Sequence, residues 1–520
     1  MPRLPSRAFL PAAAALLLAA GAVSPGAGEG PRPWGQYGGD PRHTALSSVP
    51  AQPLQGIRWS APVDLQPQYS EEGDLLIHYG TPLVTAGNTV VFPVKTGAAG
   101  GFRVEARRGG DGSLLWSLDT DYDLPAHGWI PSCGLCLDAE GRVCIPAAGG
   151  TLLRRSDPDL AEGVVERVAF FGRSAYEAAA ASFDAAVRIN TPITADGRGN
   201  LYFGFVADEG APRGLRSGVA RVSRSGRGRW RAAADAARDG SIRKVVHNGA
   251  PALDRRGRTL YLAVNDHPGS GYGAGWLLAL DARSLAPRHR VRLKDLIDLD
   301  LDLYPDDAIL ADDGTSSPTV GPDGHVFFGV LSFTNHSRGW MLHFDRRLRP
   351  AGPPGGFGWD DTASVVPAEA VPGYAGPSEY LILTKYNDYV GAGGDGVHRL
   401  ALLDPGDSMT DPISGFVTVM KEILTVAGPT PDDEYVGQGF PDAVREWCIN
   451  TAAVDAEGRC AFVNNEDGAL YRWDFASNTL SESLVLTAGV GEAYTPTVVG
   501  PDGTVYAINN AILFACGEEP

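Results

Sequence analysis

The sequence is short of methionine, of cysteine and of basic charge. Only 4 Met and 6 Cys occur among 520 residues, and 44 Lys and Arg face 62 Asp and Glu. The resulting net charge of −18 excludes general nucleic-acid binding, which needs Lys and Arg to neutralise phosphates. Beyond the N-terminus, no apolar run is long enough to span a bilayer, so we expect no transmembrane segment.

Glycine and proline are abundant instead. The chain contains 66 Gly and 39 Pro, and 43% of its residues are hydrophobic, which is enough to bury a core. The apolar runs are short and bounded by turn residues, which argues against a protein of long helices. The composition therefore excludes wholesale disorder and disfavours a helical fold.

The N-terminus has the pattern of a secretory signal peptide. Arg3 and Arg7 precede an almost unbroken apolar stretch, and Ala20-Gly21-Ala22 supplies the small residues of a cleavage site. We predict a signal peptide at residues 1–22, an N-terminal extension at residues 23–55 and a secreted or periplasmic mature protein.

The cysteines allow two interpretations. An even number of Cys in an exported chain permits disulfides. Cys133 and Cys136 also have the spacing of a redox or zinc motif, but no second pair of this kind and no His pair at ligand spacing accompanies them. Structural disulfides and buried free thiols therefore stay open as alternatives.

One pattern recurs along the chain. A short apolar run leads into a turn built on Asp-Gly or Glu-Gly, and a second apolar run ends in an aromatic residue, as in residues 494–506. The turn glycine supplies the positive φ that a tight antiparallel hairpin needs. The repeated units start near residues 81, 131, 191, 250, 317, 362, 451 and 495.

Such units cannot bury both faces alone and must stack on their neighbours. Repeated four-stranded units that close into a ring form a β-propeller. The eight starts therefore predict an all-β, eight-bladed β-propeller in one domain over residues 56–517. Because the last unit ends after two or three strands, we expect the isolated strand around Trp59 to complete it, a tape closure that removes an open sheet edge.

Several segments resemble a known family. Residues 34–44, WGQYGGDPRHT, are similar to the opening of exported quinoprotein-like propellers, and the hairpins with Trp59, Trp116 and Trp230 resemble the repeats named after pyrroloquinoline quinone. Over residues 34–516 the chain thus resembles the pyrroloquinoline-quinone-like (quinoprotein alcohol dehydrogenase-like) β-propeller repeat family. The resemblance implies the fold but not one activity, because this family includes both quinone dehydrogenases and non-catalytic assembly proteins.

Propeller topology predicts where ligands bind. The loop into the innermost strand and the loop out of the second strand of each blade emerge on one side of the wheel, which we call the channel face. Polar and aromatic residues of these loops are the predicted ligand-binding residues: His78, Tyr79, Trp129, Asn190, His247, Asn248, His267, Lys385, Asn387, Asp388, Trp447, Asn450, Asn465, Glu492 and Tyr494. The alternative is that they cap strand ends and tight turns.

Two main functions are consistent with these patterns. We favour an exported, monomeric, non-catalytic propeller that binds a small polar ligand or a partner protein on the channel face. The chain lacks the adjacent Cys pair that quinone dehydrogenases of the resembled family commonly carry over the cofactor. The alternative is a quinoprotein-type oxidoreductase that oxidises an alcohol or sugar with pyrroloquinoline quinone and calcium. A polysaccharide hydrolase or lyase is a weaker third hypothesis, and no catalytic or metal-binding residue is assigned.

Overall fold

The computed structural model describes residues 31–71, 73–128, 132–297, 306–489 and 496–519. The predicted signal peptide lies outside these residues. The chain forms an eight-bladed β-propeller, as predicted, and each of blades 1 to 7 runs from an innermost strand outward in chain order. Among the described residues, no helix has the length and apolar character needed to cross a membrane.

The first strand, β1 (Gly56–Pro62), belongs to the last blade. Blade 1 contains β2 to β5 at Leu83–Val84, Thr89–Lys95, Phe102–Arg108 and Leu114–Asp119. Blade 2 contains β6 to β9 at Cys136–Leu137, Val143–Pro146, Thr151–Arg155 and Val165–Ala169. Blade 3 contains β10 to β14 at Val187–Ile189, Thr194–Ala195, Leu201–Ala207, Gly218–Val222 and Gly228–Ala232.

Blade 4 contains β15, β16, β17, β19 and β20, and β18 pairs with β21 in a small ribbon beside it. These strands, β15 to β21, lie at Lys244–Val245, Ala252–Leu253, Thr259–Asn265, Tyr272–Gly273, Gly275–Asp281, Pro287–Arg292 and Leu310–Ala311. Blade 5 contains β22 to β24 at Thr319–Val320, Val326–Val330 and Trp340–Phe344. Isolated bridges from Met341 to Gly355 and from Phe344 to Pro350 stand where its outer strand would be.

Blade 6 contains β25 to β28 at Ser364–Pro367, Tyr380–Tyr386, Arg399–Thr410 and Thr418–Ala427. Blade 7 contains β29 to β32 at Ala453–Asp455, Cys460–Asn464, Ala469–Asp474 and Thr479–Val485. Blade 8 contains β33 to β35 at Val498–Val499, Val505–Asn509 and Ile512–Gly517. Short helices among the described residues are α1 to α4 at Arg173–Ala178, Ala180–Ala186, Ala233–Ala237 and Asp433–Gly437.

Burial follows the position of a strand within its blade. The second strand of blade 1, β3, is buried at every residue, because neighbouring blades cover both of its faces. The outermost strand of blade 7, β32, alternates exposed and half-buried residues, because one of its faces meets solvent. The core of the protein therefore lies between the blades rather than in one central cluster.

The tape closure is confirmed. β1 pairs antiparallel with β35, from Gly56 opposite Gly517 to Pro62 opposite Ile512, and forms the outer strand of blade 8. Trp59 on this strand donates a hydrogen bond from its Nε1 to the carbonyl of Gly109 in blade 1, at 2.8 Å. The N-terminal strand thus completes the last blade and also joins it to the first.

The segment before β1 forms what we call the N-terminal ring, residues 34–47. It accepts a hydrogen bond from the second residue of the innermost strand in each of blades 1 to 7, one blade after another. The donor backbone N–H groups are those of Val84, Leu137, Ala195, Leu253, Val320, Val365 and Val454. Innermost strands have a free edge, and the ring satisfies the N–H groups that this edge would leave unpaired.

Two aromatic side chains of the ring point into the centre of the wheel. The hydroxyl of Tyr37 donates to Thr362 Oγ1 at 2.9 Å, and His43 Nδ1 lies 2.8 Å from the carbonyl oxygen of Pro318. The rings of Tyr37 and His43 meet edge to face at 5.2 Å. Gly38 permits this turn, because a Cβ there would lie 2.6 Å from His43 Cα. The ring therefore closes the channel on the side opposite the channel face.

Candidate functional site

The channel face is built from strand ends. The innermost and second strands of each blade are antiparallel, so the first begins and the second ends on the same side of the wheel. The loops at these ends carry the predicted ligand-binding residues. The structure separates them into an axial group, a group in blades 3 to 5 and a group in blades 6 and 7.

The axial group fills the channel. Tyr79, Asn248, Thr315 and Asn450, from four different blades, surround a cavity of about 10 Å³ together with Tyr37 of the N-terminal ring. A cavity of this volume has room for about one water molecule. Three predicted residues, Tyr79, Asn248 and Asn450, therefore do converge, but in close packing.

Hydrogen bonds between blades hold the axial side chains. Asn248 Oδ1 accepts from the backbone N–H of Ser132 at 2.9 Å, and Asn450 Nδ2 donates to Thr315 Oγ1 at 2.8 Å. His78 Nε2 hydrogen-bonds to the backbone carbonyl of Asp313 in blade 5. These contacts fix the blades relative to one another at the axis.

A buried ion pair supports Tyr79. The Tyr79 hydroxyl donates to Asp64 Oδ2 at 3.1 Å, and Lys95 Nζ lies 3.0 Å from Asp64 Oδ1. Burial and the charge of Asp64 raise the pKa of Tyr79, so its hydroxyl stays protonated and donates. Lys95 also donates to the carbonyls of Gln66 and Gly97, so its charge is fully compensated.

A second buried ion pair organises blades 4 and 5. Lys244 Nζ lies 2.7 Å from Asp312 Oδ2, and both side chains are 2% exposed or less. Lys244 also donates to Asn265 Oδ1 at 3.0 Å and to the carbonyl of His267 at 2.8 Å. The other oxygen of Asp312 accepts from the backbone N–H of His247 at 3.0 Å. The predicted residues His247 and His267 thus share one charged network.

His247 is held neutral in this network. Its Nδ1 lies 3.2 Å from Asn190 Nδ2, an amide that can only donate, so the proton of the neutral ring is on Nε2. Burial, together with the nearby charge of Lys244, lowers the pKa of His247 to about 4 although Asp312 opposes this effect. Asn190 also donates to the carbonyl of Val245 at 2.8 Å, which fixes the amide.

The third group begins with Lys385. This side chain is fully buried at the end of β26, with its Nζ 5.9 Å from the centre of the Phe357 ring. Asn387 pairs with the backbone of Trp447 through two contacts of 3.4 Å. Asn387 and Trp447 therefore meet, but the Trp447 ring is buried in the core and packs edge to face on Tyr471.

Asp388 accepts hydrogen bonds in the same loop. His336 Nδ1 lies 2.8 Å from Asp388 Oδ1, and the backbone N–H of Asp395 donates to Oδ2 at 3.1 Å. Burial opposes ionisation of Asp388, but these two donors hold its pKa below the usual value. The side-chain partner of Asp388 is therefore His336, from blade 5.

Asn465 does not join these groups. Asn465 caps its own turn, because its Oδ1 accepts from the backbone N–H of Asp467 at 3.0 Å. This is the capping role that the sequence left as the alternative. Trp129, Glu492 and Tyr494 lie outside the described residues.

Sequence reasoning did not select Lys244, Asp312 or Asp361 as ligand-binding residues, although Asp360-Asp361 belongs to one of the loops that enter the channel face. Burial raises the pKa of Asp361 well above its usual value, although Lys385 opposes this. Among the described residues, Asp361 Oδ2 has no hydrogen-bond partner. The signal in the sequence is the placement of Asp312-Asp313 and Asp360-Asp361, each just before an innermost strand.

Two adjoining depressions open on the channel face between blades 2, 3 and 4, and together we call them the channel-face groove. Their volumes are about 590 and 1270 Å³. Both are lined by Val206, Asp208, Lys244 and Pro268. The smaller one, which is also lined by His247, reaches toward the buried network.

The described residues do not fit a quinone and its calcium ion. The axial cavity accepts about one water molecule, whereas a fused-ring quinone needs a slot that covers both of its faces. The smaller depression of the groove contains no Trp, Tyr or Phe among its described lining residues. Within the described ranges, no group of three His, Cys, Asp or Glu side chains is placed to hold a metal ion.

Comparisons with known proteins identify the fold. No family model and no curated protein matches the chain. The quinohemoprotein alcohol dehydrogenase of Comamonas testosteroni is similar over 94% of this chain and 81% of its own, at 14% identity and a TM-score of 0.54. A europium-containing methanol dehydrogenase is similar over 92% and 89%, at 12% identity and a TM-score of 0.51.

A further similar structure is the quinohemoprotein alcohol dehydrogenase ADHIIG of Pseudomonas putida HK5. It covers 94% of this chain and 76% of its own, at 13% identity and a TM-score of 0.51. At such low identity the similarity concerns architecture and not activity. The resemblance found in the sequence is thereby confirmed at the level of architecture, and this chain has the eight-bladed propeller fold seen in quinoprotein alcohol dehydrogenases.

Proposed function

We propose that this protein is a non-catalytic propeller that binds a polar ligand or a segment of a partner protein in the channel-face groove. The observation that carries the proposal is the contrast between a filled axis and an open groove beside it. A cavity of about 10 Å³ at the axis leaves no space for a substrate and a cofactor. The adjoining depressions of about 590 and 1270 Å³ have the size of binding sites.

The rim of the groove suits a polar ligand. Arg188 bridges Asp123 at 2.9 Å and Asp208 at 3.3 Å, and these two carboxylates are 63% and 65% exposed. Exposed ion pairs of this kind contribute little stability, so a ligand can replace them at low cost. The apolar residues Leu124 and Pro268 lie between the charged groups and offer contact area.

The base of the groove is rigid. The side chains of Lys244 and Asp312 are fixed by five hydrogen bonds and by the ion pair between them. They in turn fix the loops that carry His247 and His267. A site whose supporting residues are locked loses less entropy when it binds a ligand. This preorganisation supports recognition without requiring a chemical step.

The test uses peptides selected on the protein itself. A random linear peptide library is screened against the purified chain, and the affinity of each selected peptide is measured by titration calorimetry. We expect the double variant His127→Ala, Arg188→Ala to weaken binding about tenfold or more. Arg349→Ala is the matched control, because Arg349 is an exposed arginine paired with Asp345 at a hairpin turn on the opposite side.

Peptides that bind the double variant as tightly as the native chain would refute the groove as the binding site. Peptides that lose affinity in the Arg349→Ala variant would instead assign binding to the hairpin side.

The fold likeness favours one second function, a quinone-dependent oxidoreductase. Titration with pyrroloquinoline quinone and calcium chloride distinguishes the two. Our proposal predicts no change in melting temperature and no dye-linked oxidation of ethanol or glucose. A rise in melting temperature that needs both additives would overturn the non-catalytic proposal.

We further propose that the mature protein is secreted or periplasmic, on the basis of the N-terminal pattern of Arg3, Arg7 and Ala20-Gly21-Ala22. Intact mass of the exported protein tests this, and a chain that retains residues 1–22 inside the cell would contradict it.

A further inference from the structure

Two cysteines of blade 2 face each other across a pair of strands. Cys136 on β6 lies directly opposite Cys144 on β7 in the antiparallel register. Residues directly opposite in such a ladder present their side chains on the same face of the sheet. Both side chains are fully buried, so the two thiols share one closed environment.

The hydrogen bonds of the neighbouring residues show which kind of antiparallel pair Cys136 and Cys144 form. The backbone N–H of Leu137 points away from β7 and donates to the carbonyl of Gly35 at 2.7 Å. Leu137 and Val143 are therefore a non-hydrogen-bonded pair, and Cys136 and Cys144 are the adjacent hydrogen-bonded pair. The Cα atoms of such a pair are about 5.5 Å apart, within the range that a disulfide spans.

The two thiols lie close enough for Cys144 to disfavour ionisation of Cys136. Burial raises the pKa of the Cys136 thiol well above its ordinary value, and its hydrogen bond with Cys144 adds to this effect. The Cys144 Sγ also lies 3.8 Å from the carbonyl oxygen of Arg142. Cys133, the other cysteine of the CxxC spacing, instead lies near Tyr122, where a thiolate would raise the pKa of the Tyr122 hydroxyl.

We propose that Cys136 and Cys144 form a cross-strand disulfide, and that Cys133 stays reduced. In the structure both residues are free thiols, and their register favours one pairing that the spacing of Cys133 and Cys136 does not suggest. The bond would pin β6, an innermost strand of only two residues, to the rest of blade 2 at the point where the N-terminal ring attaches.

The oxidant is a small-molecule disulfide such as oxidised glutathione. The thiolate of one cysteine attacks it, forms a mixed disulfide and expels one glutathione thiolate. The thiolate of the second cysteine then displaces the other glutathione. Two protein thiols are oxidised and one glutathione disulfide is reduced to two thiols. Because both cysteines are fully buried in the fold, this exchange takes place while the chain folds.

The test compares two refolding conditions. The full chain is refolded with oxidised and reduced glutathione or with a reducing agent alone, and free thiols are then alkylated under denaturing conditions. Cleavage with trypsin after Arg142 separates the peptide of Cys133 and Cys136 from that of Cys144. We expect the oxidised sample to contain these two peptides joined, with Cys133 alkylated. The mass should be about 2 Da below the sum of the two peptides plus one alkyl group. The oxidised protein should also melt at a higher temperature than the reduced one.

Two matched variants identify the cysteine that pairs. Cys133→Ala keeps the joined peptides, whereas Cys136→Ala abolishes them, and alanine is small and apolar enough for both buried positions. Joined peptides in Cys136→Ala but not in Cys133→Ala would assign the bond to Cys133 and overturn the proposal. Unjoined, fully alkylated peptides from folded native chain in both refolding conditions would overturn it as well.

Discussion

The N-terminal ring contains a group that should make the fold sensitive to acid. His43 is fully buried, with Nδ1 against the carbonyl of Pro318 and, among the described residues, no partner for Nε2. Burial lowers the pKa of His43 from 6.5 to about 4, although the Pro318 carbonyl and Asp40 oppose this. A second proton on this ring would place an unpaired N–H and a charge in the core.

The sign of the effect follows from proton linkage. Between pH 6.5 and pH 4 the unfolded chain binds a proton at this position and the folded chain does not, so stability falls as the pH is lowered. The gap between 6.5 and about 4 corresponds to a loss of about 3 kcal/mol in the free energy of unfolding between pH 7 and pH 4. Three other buried histidines with the same direction of pKa change add to this loss: His247, His343 and His398.

The substitution His43→Gln removes the titrating ring and keeps an amide donor for the Pro318 carbonyl. Near pH 5, the slope of the unfolding free energy against pH should fall by about 1.2 kcal/mol per pH unit. This change corresponds to the loss of nearly one proton taken up on unfolding. Urea denaturation followed by tryptophan fluorescence at pH 4.5 to 7 measures this slope. His289→Gln, at an exposed position on β20, is the control and should leave the slope unchanged. An unchanged slope in His43→Gln would refute the account of His43 as a buried neutral group.

Three further predictions concern the closure and the buried charges. Trp59→Ala should lower the free energy of unfolding by about 3–5 kcal/mol in urea denaturation, because it removes a buried ring and its bond to Gly109; a loss below about 1 kcal/mol would contradict the role of β1. Lys244→Met should lower the free energy of unfolding by about 3–5 kcal/mol, because it leaves the buried Asp312 carboxylate unpaired. Adding Asp312→Asn should recover much of this loss, and a double variant whose loss is the sum of the two single losses would contradict a coupled pair. Asp361→Asn should raise the melting temperature at pH 8. The pKa of Asp361 is raised in the folded protein, so ionisation of this carboxyl destabilises the fold as the pH rises. A lower melting temperature of the variant at pH 8 would show instead that the charge of Asp361 stabilises the fold.

The fold could be predicted from local signals. Asp-Gly and Glu-Gly turns mark hairpins because the turn needs positive φ, and eight such units have no way to bury both faces except in a ring. The isolated strand around Trp59 was predictable because the last unit lacked an outer strand. The N-terminal ring was not, because six of its seven acceptors are backbone carbonyls, which leave no pattern of side chains in the sequence; the seventh is Oε1 of Gln36.

The candidate site was predicted only in outline. Topology assigned the correct face to Tyr79, Asn248 and Asn450, but the close packing of the axis depends on Tyr37, which arrives from the N-terminal ring. Lys244 and Asp312 are 68 residues apart, and only the contact between two blades brings them together. For Asn465 the sequence allowed both a ligand and a turn cap, because the same amide group performs both roles.

The central claim is that ligands bind in the channel-face groove beside a closed channel. Hydrogen exchange measured by mass spectrometry, with and without a peptide selected on the protein, tests it most directly. The bound peptide should slow exchange in residues 123–127, 206–210 and 268–269, which line the groove. Slower exchange at the hairpin turns of residues 254–257 and 345–349, with no change in the groove, would contradict it.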